Sequence, residues 1–537
     1  MVATRDDSVP DAVVIGAGHN GLVAANLLAE AGWSVVVCEG APEVGGAVAS
    51  AEVTAPGFGT DLFSAFYPLA VASPVLSALR LADHGLRWSH APAVFSHVLP
   101  DGRSATVWRD AARTAESLDR FAPGDGDAWL RLTAQWDRIG AQVIDSVLRP
   151  FPPITSAARL LHRTSLAEAL RLARMAAQPV RRFGEETFRG AGGPLLFAGN
   201  ALHADLAPDG AGSALYGWLL CMLAHSHGFP VPVGGSGALI DALVARLHTH
   251  GGEIRTNCRV DAVEVAAGRA AAVVLESGER LAARRAVLAD VTAPHLFSAL
   301  VGDRHLPTRL VEDVSKFQWD TPTVKVNWAL ERPIPWSDAD AGGAGTVHLG
   351  VDMDGLTDYA ADLATRRTPT RPFVLLGQMT TADPTRSPQG TESAWAYTHL
   401  PTGRIYDAAG IAEHVELVES VVERHAAGFT SAIIGRHSQS PAQLQEHDAN
   451  LVGGAINGGT AQLHQQLVFR PIPGLAGPDT PIDRLYLAAS SAHPGGGVHG
   501  ACGANAALMA LARDRVTGRV RRAVRSRLMQ RIYRPER

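Results

Sequence analysis

The chain has 537 residues, 46% of them hydrophobic and 19% charged, with a net charge of −5. That size holds two or three domain-sized cores, the apolar content is too high for a disordered protein, and there is no basic field of the kind that binds nucleic acid regardless of sequence. The four cysteines, Cys38, Cys221, Cys258 and Cys502, are far apart in sequence, so neither a zinc site nor a redox dithiol is expected and no metal ligand is assigned.

The opening "MVATRDDSVP" has no apolar core, which argues against a secretory signal. The apolar runs break short of the roughly 20 residues a membrane span needs. A cytoplasmic location is expected. From Asp11 the chain reads "DAVVIGAGHNGLVAANLLAEAGWSVVVCEG". "AVVIG" is a buried strand, Gly16, Gly18 and Gly21 form GxGxxG, and Leu22, Ala25, Leu28 and Ala29 trace a helix that Gly32 ends. "WSVVVC" is a second strand, closed by Glu39. Gly16 permits the tight turn, Gly18 admits a pyrophosphate to the backbone, and Gly21 allows helix and strand to pack closely. The helix N-terminus aims free N–H groups at the phosphates, and Glu39 is placed to accept from a ribose hydroxyl. All five parts occur in register, so a dinucleotide site is expected here. Gly45 and Gly46 follow in "PEVGGAVAS", with Ala47 next.

In the middle, Gly234, Gly235 and Gly237 precede a helix carrying Leu239, Ile240, Leu243 and Leu247, which Gly251 and Gly252 end. "EIRTNCRVDAVEV" and "AAAVVLESG" then read as a β-meander. Near the end, "HPGGGVHGACGANAAL" packs five glycines before an alanine-rich helix.

Together "GAGHNGLVAA", "GGSGALIDAL" and "LYLAASSAHPGGGVHGACGANAA" resemble the phytoene desaturase and carotenoid oxidoreductase flavoproteins, above all the branch named for pyridine nucleotide-disulphide oxidoreductase domain-containing protein 2. Matching motifs run from Asp11 to Leu511. The resemblance implies an α/β fold of the amine oxidase and phytoene desaturase kind. A discontinuous Rossmann-type FAD-binding domain (1–75, 229–300 and 471–512) would carry an inserted α+β substrate domain (76–228 and 301–470), with a basic C-terminal helix over 513–537. It implies FAD held by Gly16, Gly18, His19, Asn20, Gly21, Glu39, Gly45, Gly46, Ala47, Val260, Ser490, Gly496, Gly497, Val498 and His499, with the backbone of Val260 at the adenine. The two glycine-rich ends would grip one cofactor, and the helix from Ala501 would turn its N-terminus to the ring. Three positions depart from the family: Ala47 stands where arginine is usual, Ser490 where an acid is usual, and His499 where desaturases carry proline.

The implied activity is FAD-dependent removal of hydride from a C–H bond of an apolar, isoprenoid- or polyene-like substrate. Oxygen or a quinone, rather than bound NAD(P), would be the acceptor, because no second GxGxxG with strand context is present. The alternatives are a flavin-dependent alkene isomerase or cyclase, a non-catalytic flavin-stabilised partner-binding protein, and an amine oxidase. His493 and His499 are weak candidates for acid–base work; the competing reading makes each a turn histidine bonded to backbone. Residues 149–182 carry seven arginines and one glutamate. They read either as a solvated surface helix or as a helix in peripheral contact with an anionic membrane. Ten arginines between Arg513 and Arg537 suit packing or oligomer assembly, and no nucleic-acid motif accompanies them.

Overall fold

Ala12–Ile15 and Val35–Cys38 have no polar face, and both are buried along their whole length, as strands covered on both sides must be. In the computed structural model, which describes residues 9–515 and 532–533, they sit at the centre of a five-stranded, wholly parallel sheet. Its order is Leu485–Leu487, Ala286–Ala289, Ala12–Ile15, Val35–Cys38, Glu253–Arg255. This is a Rossmann-type arrangement assembled from three distant stretches of chain.

The expected meander is divided. Asn257 turns with φ +51°, which leaves Glu253–Arg255 as the edge of the parallel sheet. Val260–Ala266, Arg269–Leu275 and Arg280–Ala282 alone make the three-stranded antiparallel sheet. Alternation in "EIRTNCRV" is the same whichever sheet a strand joins, so periodicity did not separate them.

The second layer is a seven-stranded mixed sheet. Every pairing in it is antiparallel except Ala93–Val98 with Ala344–Leu349. Phe95, Leu375 and Trp395 share a core with Trp129, Phe197 and Trp218 from the helices Asp125–Leu148, Gly192–Leu202 and Ser213–His227. Trp328 packs instead with Val418 and Val422 of the helix Ala408–His425.

The stretch 149–182 is not one helix. Ile154–Arg163 and Leu166–Ala177 are separate, because Ser165 begins the second with a capping box to Glu168, and Pro179 precedes a third at Val180. Most of the basic segment 513–537 lies outside the described residues. Among the described residues no helix is long and apolar enough to cross a membrane.

The last helix whose bounds the structure describes, Ala501–Asp514, lies on the first, His19–Glu30. A Cβ on Gly503 would stand 1.9 Å from the Asn20 carbonyl oxygen, so the two helices meet backbone to backbone. Gly503→Ala should therefore cost about 1–3 kcal/mol, read as a lowered thermal midpoint with reduced FAD retention. A variant as stable as wild type would show that the helices part freely.

Candidate functional site

The first glycine loop is shaped by contact. Gly16 has φ +93°, and a Cβ on Gly21 would fall 2.1 Å from the Gly16 carbonyl oxygen. The N–H of Gly45 donates to the Ala17 carbonyl at 2.9 Å, and Gly45 forms a parallel bridge with Gly18; both glycine motifs thus share one edge. Gly46 follows with φ +55°. The carboxylate of Glu39 accepts the N–H groups of Ala17 at 2.7 Å and Ala41 at 2.8 Å. That fixes its position and leaves further lone pairs for a ligand hydroxyl.

The far loop returns to the same place. Asn20 Nδ2 donates to Ser490 Oγ at 3.3 Å, joining the two ends of the chain. A Cβ on Gly496 would meet the Asn457 carbonyl oxygen at 2.6 Å, and one on Gly497 the Leu69 side chain at 2.9 Å. Between the loops lies a cavity of about 300 Å³, and Gly18, His19, Asn20, Ala47, Ser490, Gly497 and Val498 line it. Gly16, Gly21, Glu39, Gly45 and Gly46 shape the loop behind that wall. Gly496 is packed under the Asn457 loop, and Val260, buried, starts its meander strand.

The two candidate histidines stand behind the loop, and neither is among the lining residues. His493 Nε2 donates to the Arg149 carbonyl at 2.9 Å. His499 Nδ1 accepts the N–H of Ala501 at 3.0 Å, so the last helix meets a ring nitrogen at its first free N–H. Burial pushes His493 down to about 4 and His499 to about 3. Both are neutral backbone-bonding residues near neutral pH.

Other groups at the cavity had no motif. Asp290 follows the strand Ala286–Ala289, and its Oδ2 accepts the Gly21 N–H at 2.7 Å. Burial, then the charges of Asp448 and Glu39, push its pKa up to about 8 against the pull of that N–H. It carries a proton at neutral pH, so its charge does not oppose a phosphate at the loop. Lys325, in the strand Thr323–Leu330, also lines the cavity, as do His203, Trp395 and Tyr397. Its ammonium donates to the Asp61 carbonyl and lies 5.4 Å from the Trp395 ring centre. The sequence held one signal for it: only Lys316 and Lys325 are lysines among 48 basic residues, and Lys325 interrupts an apolar strand.

The matching family model is that of the flavin containing amine oxidoreductases, over residues 21–393. The chain belongs to that family. It is 30% identical to the rat pyridine nucleotide-disulfide oxidoreductase domain-containing protein 2, covering 93% of this chain and 92% of the relative. It is 23% identical to a phytoene desaturase (neurosporene-forming) of Rhodobacter capsulatus, over 91% of each. An oxidoreductase from Methanosarcina mazei superposes with a TM-score of 0.61 at 16% identity, over 93% of this chain and 99% of that one, which shows the shared fold.

This chain is therefore an FAD-dependent oxidoreductase, and its cavity fits that cofactor. The glycine wall leaves no room for side chains where a pyrophosphate must approach. Among the described residues His19 Nε2, Asn20 Oδ1 and Asn457 Nδ2 are buried without a partner, polar atoms that a bound group would satisfy.

The Asp290 proton gives a pH test. The unfolded chain releases it near 3.8 and the folded protein near 8. Its stabilising contribution is full below 3.8 and is lost as pH rises to 8. Asp290→Asn removes that slope, so the variant should gain stability relative to wild type as pH climbs through the window. Parallel denaturation curves across it would refute the assignment.

Proposed function

We propose that this flavoprotein dehydrogenates an apolar, alkene- or polyene-like substrate, losing hydride from one carbon and a proton from its neighbour as a double bond forms. The observation that carries this reading is the apolar share of the cavity lining, which Phe63, Phe66, Leu220, Phe229, Leu375 and Trp395 provide. His203, Lys325 and Tyr397 line it as well. None of these is anionic at neutral pH, so a cationic amine would meet no counter-charge there. The two lining aspartates, Asp290 and Asp448, stand at the glycine end. The likeness to a phytoene desaturase along nearly the whole chain supports the same choice.

Bound FAD supplies the acceptor for the hydride. The aromatic wall orients the substrate and excludes water. Lys325 takes the proton on Nζ. Burial pushes its pKa down to about 7, with Arg386 adding to the shift and Asp61 opposing it. Burial drives His203 to about 3 and raises Tyr397. Lys325 is thus the group on this wall whose protonation changes near neutrality. Oxygen or a quinone would serve as the terminal electron acceptor. Disulphide chemistry is not supported: the four cysteines are buried and free, and burial raises the thiols of Cys38, Cys221 and Cys502.

Anaerobic mixing of the yellow protein with unsaturated isoprenoids should bleach the flavin, whereas alkylamines should leave it oxidised. The reverse pattern would make the protein an amine oxidase. Lys325→Met should slow bleaching by about 10²-fold or more and remove the limb of the rate profile near pH 7. Unchanged rates would dismiss the lysine.

The substrate's route runs from a membrane surface in this reading. Ile154, Leu161, Leu166 and Leu170 are exposed among Arg159, Arg163 and Arg171. Leu166–Ala177 packs on Ser213–His227, the helix that gives Leu220 to the cavity. Vesicles containing phosphatidylglycerol should sediment the protein, neutral vesicles much less, and Leu161→Glu with Leu166→Glu should abolish the difference. Equal recovery from both vesicle types would rule out anionic attachment.

A further inference from the structure

Arg470 is among the largest fully buried side chains, and among the described residues its donors meet carbonyl oxygens only. Nη2 donates to Ser490 at 2.7 Å, Gly458 at 3.1 Å and Asn457 at 3.2 Å, and Nη1 to Thr460 at 3.0 Å. The same loop is held from its other side by Asp320, also buried. Asp320 Oδ2 accepts the N–H groups of Ile456 at 2.6 Å and Asn457 at 2.8 Å, and Oδ1 accepts that of Gly459 at 2.9 Å.

A buried guanidinium without carboxylate contact is costly unless fixed dipoles replace its water. Here the peptide groups of 456–460 do so. The Gly458–Gly459 peptide serves both, its carbonyl facing the guanidinium and its N–H the carboxylate, so the two charges meet across it. Ile456, Asn457 and Gly458 line the cavity beside Ser490, and Asn457 Nδ2 is a buried donor with no partner among the described residues. Arg470 also grips Ser490, whose hydroxyl meets Asn20; one cation thus ties this loop to both glycine-rich ends.

We propose that Asp320 and Arg470 are positioning residues that clamp the Ile456–Thr460 loop from opposite faces, so that the Asn457 amide stands as a hydrogen-bond donor to the flavin. A fixed donor of this kind favours the electron-rich reduced ring over the oxidised one. The clamp thereby tunes how readily the cofactor accepts hydride, without itself touching substrate.

The proposal rests on the reading that this cavity holds the flavin ring, and the test separates the two. The FAD-loaded protein is titrated against reference dyes to obtain its midpoint potential, with thermal unfolding followed alongside. Asn457→Leu conserves volume and removes the donor. It should make reduction about tenfold less favourable, about 30 mV for a two-electron couple, with FAD still bound and the thermal midpoint unchanged. Arg470→Lys keeps the charge but loses the fork that spans several carbonyls. It should shift the potential in the same direction, and adding Asn457→Leu to it should produce no further shift, since the clamp acts through that amide. Asn457→Leu decides the matter alone if Arg470→Lys fails to fold. A wild-type potential in Asn457→Leu, or strictly additive shifts in the double variant, overturns the clamp. A wild-type chain that takes up no FAD overturns both the clamp and the reading beneath it.

Discussion

Main chain pressed on main chain is the contact that this architecture is built around. Gly21 lies against the Gly16 carbonyl and Gly503 against that of Asn20, so the helices His19–Glu30 and Ala501–Asp514 touch main chain to main chain at Gly503. Each contact tolerates only a hydrogen at the α-carbon. The cradle is complete only when Leu485–Leu487 joins the sheet beside Ala286–Ala289 and delivers Ser490 and the far glycines to the loop after Ile15. Completion of the cradle and closure of the parallel sheet therefore depend on the same strand.

The charges around the cavity follow a second rule, that burial is tolerated only where charge is removed or answered. Asp290 is kept protonated under the first glycine loop, and burial brings Lys325, which lines the same cavity, near neutrality. Asp61 and Arg386 pair at 2.7 Å in full burial, with Asp383 beside them at 3.2 Å. Asp320 and Arg470 answer one another across a loop. The result is a site whose lining combines bare glycine backbone, aromatic and aliphatic side chains and one titratable amine.

Much of the cofactor half was legible in sequence because its determinants are local. A strand, a glycine turn and a helix occupy consecutive residues, so Gly16, Gly18, Gly21 and Glu39 announce themselves by spacing. The far glycine loop was legible for the same reason, although its partner was inferred from family likeness. Asp290, Asn457 and Lys325 carried no such pattern. Each is a single polar residue after or within an ordinary strand or loop, and its role depends on what lies across the cavity. His493 and His499 drew attention by flanking three glycines, yet the structure turns both toward backbone atoms.

The sequence by itself determined the dinucleotide-type glycine turn, which rests on short-range spacing, and its likeness to a known family supplied the family and the cofactor. Tertiary structure decided which strand of "EIRTNCRVDAVEV" joins which sheet, how residues 149–182 divide into helices, and which aromatic side chains wall the cavity. It also decided which buried acid holds a proton and which lysine gives one up. Those outcomes depend on burial and on the charge of residues hundreds of positions away, quantities that a linear pattern does not contain.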